Sequence, residues 1–212
     1  RRPELGWARS RGPREELAEL ARGAGRQAFG AGLTEWSLWP LASAIHVVEF
    51  ADDPAQEAAT VVERALSPSA TLCGQLPDAV GRVLCHQRRL SAFTEELLAR
   101  LDATPALAEP VAAVEADLPG RMAEAWALGL DEGACPVFGQ PPADVRGRGP
   151  RAVAPVVFTN VETGGRLLRL ERPAPLLRLA RVASDEEAHR LRDALVRDRG
   201  LERLELHSET TP

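Results

Sequence analysis

Four histidines and three cysteines are the residues of this chain best suited to proton transfer, nucleophilic attack or metal binding. Their spacing limits what they can do together. His46 and Glu49 stand three apart, and Glu186 and His189 do the same in reverse order. Residues three apart share a helix face, and repeated Glu-x-x-His segments hold paired metal ions in some helical bundles. Here one copy runs forward and the other backward, so no metal is expected. His46 reads as a hydrogen-bonded core histidine and His189 as part of a solvated helix face. Cys85 and His86 are adjacent, and neighbouring helical side chains point about 100° apart, so they do not converge on one ion. Cys73 and Cys85 read as buried thiols. Cys135, beside Pro136, is expected to be more accessible. If the chain is an enzyme instead, its site falls around His46, Glu49, Cys85 and His86, with His46, Glu49 and His86 as the alternative metal set.

No phosphate-cradling loop is present. Gly23-Ala24-Gly25 lacks the Gly-Lys-Ser/Thr ending, and the chain has no lysine at all. There is no Gly-x-Ser-x-Gly. No cofactor is therefore expected, and no motif points to a particular family.

Charge is the strongest remaining pattern. Residues 102–132 carry seven acids against Arg121 alone, while residues 144–181 carry eight arginines against Asp144, Glu162 and Glu171. Adjoining acidic and basic segments pair with each other, or present a docking surface. The function expected from this is a non-catalytic binding or accessory protein. It would recognise an acidic peptide, a protein partner or an anion through Arg166, Arg169, Arg172, Arg178 and Arg181. Nucleic acid is disfavoured by the net charge of −5, the absence of tyrosine, and Phe158 as the one stacking ring in the basic segment. Since every basic residue but histidine is arginine, a GC-rich gene accounts for part of this density.

The elements that must position these residues read as follows. A first helix is expected from Pro13. The apolar stretch Thr34–Ala51, with Trp36, Trp39, Ile45, Val47 and Val48, reads as a central helix over 38–51. Asp53-Pro54-Ala55-Gln56 is a helix start running to Leu66 and stopping at Ser67-Pro68. Val83, Leu90 and Leu97 recur every seven residues, which predicts a long helix from Pro77 to Asp102. Another helix begins at Leu118-Pro119. Residues 131–155, dense in Gly and Pro, read as a connector. Beyond it, Val153–Thr159 and Arg166–Glu171 form a hairpin, Leu176–Ala183 a third strand and Leu201–His207 a fourth. Ser184-Asp185-Glu186-Glu187 opens a helix ending at Gly200.

The predicted fold class is α+β: an N-terminal helical bundle over 1–132, a connector over 133–152, and a small C-terminal β-hairpin/α/β module over 153–212. With 44% apolar and 27% charged residues, the chain has the composition of a soluble folded protein. It starts Arg1-Arg2-Pro3, as a trimmed chain would, and shows no signal peptide and no run of about 18 apolar residues. Three unpaired cysteines suit the cytoplasm. The oligomeric state is open.

Overall fold

The computed structural model describes residues 8–10, 26–30, 36–40, 43–76, 79–107 and 109–208, with side chains for 43–76, 79–107, 109–145 and 147–196. The strands are β1 (Ala8–Ser10), β2 (Arg26–Gly30), β3 (Trp36–Pro40), β4 (Ala44–Val48), β5 (Val80–His86), β6 (Val111–Ala112), β7 (Cys135–Phe138), β8 (Ala152–Val153), β9 (Val156–Val161) and β10 (Leu176–Val182). The helices are α1 (Pro54–Leu66), α2 (Pro68–Thr71), α3 (Leu90–Asp102), α4 (Leu118–Asp131), α5 (Pro142–Arg146), α6 (Arg166–Arg169) and α7 (Asp185–Ser208). The chain divides into two compact units, Arg1–Ala42 with Ala194–Pro212, and Ser43–Asp193. The first contains an antiparallel sheet in the order β1-β3-β2.

The second unit is built on a five-stranded sheet in the order β4-β5-β10-β9-β7. Its first four strands are parallel, and β7 is an antiparallel edge. Parallel neighbours need long crossovers, supplied here by α1 between β4 and β5 and by α6 between β9 and β10. All seven residues of β5 are buried. That is why Val80-Gly81-Arg82-Val83-Leu84-Cys85 shows no polar alternation: a parallel strand covered on both faces has no solvent side. On one face, Val48, Val83, Cys85, Leu177 and Leu179 meet Val61 and Ala65 of α1 and Phe93, Leu97 and Leu101 of α3 in a single apolar cluster. On the other, the ring of Phe158 packs 5.5 Å from Trp126 of α4. Gly129 is required there, because a Cβ would stand 2.9 Å from the Phe158 ring.

This architecture corrects the expected fold class. The unit is an α/β sheet with parallel strands, not an N-terminal helical bundle followed by a small hairpin module. The 38–51 stretch forms β3 and β4, and the heptad from Val83 to Leu97 spans a strand, a turn and a helix. Residues 133–152 contain β7 and α5 and the first residue of β8, Arg166–Arg169 is helical, and α7 continues through the segment expected as a fourth strand. The helix starts at Pro54 and Leu118 and the strand at Leu176 are as expected. The helix expected from Pro13 lies outside the described residues. No described helix is long and apolar enough to cross a membrane.

Candidate active-site edge of the sheet

At the amino ends of β5 and β10 the backbone is strained. α1 stops at Ser67, α2 adds one turn, and then Leu72, Cys73 and Gly74 all take positive φ, at 49°, 57° and 84°. A left-handed residue bearing a Cβ costs roughly 1–2 kcal/mol, and such outliers persist only where their surroundings over-determine them. Here Thr71 does much of the holding. Its hydroxyl donates to Ser67 O at 2.9 Å and lies 3.2 Å from Ala65 O, and it accepts the Gly74 N–H at 3.0 Å. The Thr71 carbonyl takes the N–H groups of Gln75 and Leu76, and Ser67 O takes that of Cys73. Gly74 cannot be replaced cheaply: a Cβ would lie 2.7 Å from Ala174 O and 2.9 Å from Ala65 O. Gln75 then ties the turn to β6. Its amide donates to Leu72 O and Ala112 O and accepts the Val114 N–H at 2.8 Å.

Behind the same edge lie two buried arginines, Arg82 and Arg178, paired in register across β5 and β10. Arg178 donates to Gly81 O, Leu167 O, Leu170 O and the Ser43 hydroxyl. It thereby fastens α6 and the start of β4 to the sheet. Burial lowers its pKa to about 9, and nearby Glu171 acts to raise it. Arg82 donates one Nη to Ser43 O at 2.8 Å. Its Nε and other Nη are buried without a hydrogen-bond partner.

Two of the three thiols of this unit, Cys73 and Cys85, are poor nucleophiles, because attack needs a thiolate in an accessible, electropositive setting. Cys73 is 2% exposed and burial pushes its pKa up. Cys85 is fully buried, and burial together with the charge of Asp52 raises it to about 12. Cys135 is exposed on edge strand β7.

At the opposite, carboxyl edge, the expected chemistry-bearing residues are dispersed into separate pairs. His46 Nε2 meets Glu57 Oε2 at 2.6 Å, and Glu49 Oε1 meets His189 Nε2 at 2.7 Å. His86 accepts the Arg88 N–H on Nδ1, and its ring lies 5.3 Å from that of Phe50. His46, Glu49, Cys85 and His86 are thus not gathered into one site. No group of three or more His, Cys, Asp or Glu among the described residues is placed to hold a metal. Glu57 and His189 were not legible as partners, since these contacts join positions 11 and 140 residues apart.

The arginines are likewise not one surface. Arg166, Arg169, Arg172 and Arg181 are exposed, but Arg178 is internal. Acidic and basic segments pair within the molecule, Arg172 with Asp117 at 3.5 Å and Arg148 with Glu109 at 3.2 Å. Glu132 accepts the backbone N–H groups of Arg166 and Leu167 at the start of α6.

Comparison with solved structures finds this architecture in enzymes. An NAD-dependent benzaldehyde dehydrogenase from Corynebacterium glutamicum superposes with a TM-score of 0.59 at 20% identity, over 73% of this chain and 33% of that one. An NADP-dependent glyceraldehyde-3-phosphate dehydrogenase from Bacillus halodurans C-125 gives 0.60 at 19%, over 72% and 31%. An oxidoreductase from Marinobacter aquaeolei gives 0.61 at 20%, over 72% and 32%. The chain spans about a third of the length of these structures, and at such identities they show the fold alone. No curated protein matches the sequence. Residues 42–196 match the profile of the aldehyde dehydrogenase family. The match to an enzyme family overturns the expectation of a non-catalytic accessory protein docking acidic partners through its arginines. Most of the chain, including every strand of the five-stranded sheet, lies within the matched region, and the chain belongs to the aldehyde dehydrogenase family.

Proposed function

We propose that the chain works in an oxidoreductase that converts an aldehyde to a carboxylate, with a nicotinamide dinucleotide as hydride acceptor. Aldehyde, water and NAD⁺ or NADP⁺ give the carboxylate, the reduced nucleotide and two protons. The observation that carries the reading is the family match across the whole parallel sheet. The strained turn at Leu72–Gly74 supports placing the reacting edge at the amino ends of β5 and β10, since stored backbone strain concentrates at functional sites. Gln75 and Thr71 are positioning residues in this reading. The buried thiols of Cys73 and Cys85 take no part in it. Of the alternative enzyme residues, Glu49 and His86 lie near the carboxyl edge and belong to its packing. The reduced cysteines support a cytoplasmic location.

The reading is tested with the protein in its natural assembly, using benzaldehyde and a short aliphatic aldehyde with each nucleotide in turn. Aldehyde-dependent formation of NADH or NADPH is expected. Its absence with both nucleotides, in a sample shown to be folded by circular dichroism, contradicts the reading.

A further inference from the structure

We infer that no cysteine of this chain bonds to the aldehyde, and that the substrate is oxidised as its hydrate, after water rather than a thiolate has added to it. The substrate and the overall reaction rest on the oxidoreductase reading above. An aldehyde carbon has to take a nucleophile before its C–H hydrogen can leave as hydride. Cysteine is the side chain best suited to that attack, because thiolate is intrinsically very nucleophilic. The thiol must, however, be within reach of the aldehyde and able to lose its proton.

The chain has three cysteines, and none of them fits. Cys73 comes nearest, because it lies in the left-handed turn itself. It is buried, and the turn is held against swinging it outward. Ser67 O accepts the Cys73 N–H at 3.3 Å, the Thr71 hydroxyl accepts that of Gly74 at 3.0 Å, and Gly74 lies against the backbone of Ala65 and Ala174. Cys85 is enclosed in β5, inside the apolar cluster formed with α1 and α3. Its sulfur lies 3.6 Å from His86 O, which accepts from S–H and gives a thiolate no partner. Burial, and then the charge of Asp52, hold it neutral.

Cys135 is exposed but stands far from the strained turn. It opens the antiparallel edge strand β7 and pairs with Thr159 near the carboxyl end of β9. The turn precedes β5, at the amino ends. In the sheet β5 and β7 are three strand spacings apart, about 14 Å, before the length of the strands is added. Water, by contrast, is already a reactant of the proposed reaction and needs no side chain to carry the acyl group. Its oxygen bonds to the carbonyl carbon, the π pair moves to the carbonyl oxygen, and one proton passes to that oxygen through solvent. The hydrate then gives up its C–H hydrogen, with both electrons, to the nicotinamide dinucleotide. Two protons go to solvent, and the carboxylate remains.

The test uses the protein in its natural assembly, in three parts. Samples turning over benzaldehyde are quenched in acid and weighed by mass spectrometry, and every chain is expected to keep its unmodified mass. Chloroacetaldehyde, which carries both an aldehyde and an alkylating carbon, should label Cys135 alone in the native protein. Cys135→Ser should oxidise aldehyde within about twofold of the unaltered enzyme. An acyl group found on a cysteine overturns the inference, as does native labelling of Cys73 or Cys85. So does a loss of about a hundredfold or more in Cys135→Ser. Failure of the aldehyde assay is a separate result: it removes the oxidoreductase reading, while the chloroacetaldehyde labelling still decides whether Cys73 and Cys85 are closed to an aldehyde.

Discussion

The two ends of the parallel strands are finished in opposite ways. At the carboxyl ends, the turns after β4 and β10 are relaxed. Asp53 and Ser184 sit at helix starts, neighbouring carboxylates take backbone N–H groups, and the Glu49–His189 pair is 41% exposed on both sides. These are ordinary stabilising contacts, each worth roughly 0.5–2 kcal/mol. At the amino ends, three successive residues are left-handed, Gly74 is pressed against backbone, and two guanidinium groups are fully enclosed. Three left-handed residues stand in succession before β5, whereas at the carboxyl ends a single described non-glycine residue, Asn160 of β9, takes a positive φ, of 56°. The general rule for open sheets looks to the carboxyl edge for ligands, whereas in this chain the run of left-handed residues lies at the amino edge. The difference turns attention to the strained edge.

The comparison can be broken first at Arg178. Arg178→Met strips donors from the buried carbonyls of Gly81 and Leu167, the part-buried carbonyl of Leu170 and the Ser43 hydroxyl. Each unsatisfied buried acceptor costs roughly 1–3 kcal/mol, so a loss on the order of 4 kcal/mol is expected in urea unfolding. A loss under about 1 kcal/mol would show that the guanidinium does not fasten this edge. Gly74→Ala comes next, at roughly 2–4 kcal/mol, from the left-handed backbone plus overpacking against Ala174 and Ala65. The matching substitution at the relaxed edge, Asp53→Ala, should cost only about 1 kcal/mol. Equal costs at the two positions would erase the contrast. Thr71→Val should cost about 1–2 kcal/mol and raise hydrogen exchange at Gly74 specifically.

The smallest effect concerns the thiols. At mildly alkaline pH, iodoacetamide should label Cys135 alone, and Cys73 and Cys85 only after unfolding. The raised value of Cys85 sets the sign of its pH dependence. Its neutral thiol contributes stability that is complete below the ordinary value of 9.0 and fades as pH climbs toward about 12. Labelling of Cys85 in the native protein would show that β5 is open rather than closed.

How much of this was legible depended on whether a signal was local. The Asp53-Pro54 start of α1 and the Ser184–Glu187 start of α7 were readable, because capping is written within a few residues. β10 was readable from its flanking prolines. β4 and β5 were not. A strand buried on both faces shows the same unbroken apolar run as a buried helix, and the recurrence of Val83, Leu90 and Leu97 fell by chance on a heptad. The strained turn was invisible, since Leu72 and Cys73 are residue types that rarely adopt positive φ. Arg178 was counted with surface arginines because nothing in Leu177-Arg178-Leu179 says that four oxygens converge on it. The Glu57 and His189 contacts depend on the strand order, which local patterns do not encode.

The storage of strain beside β5 is tested most directly by a pair of substitutions at Leu72, which is 43% exposed. Asparagine tolerates the left-handed region, whereas a β-branched residue there is a marked outlier. Leu72→Asn should be more stable than Leu72→Val by roughly 1–2 kcal/mol, although valine keeps more apolar surface. If Leu72→Val proves as stable as Leu72→Asn or more so, the turn is not held left-handed and the distinction between the two edges fails.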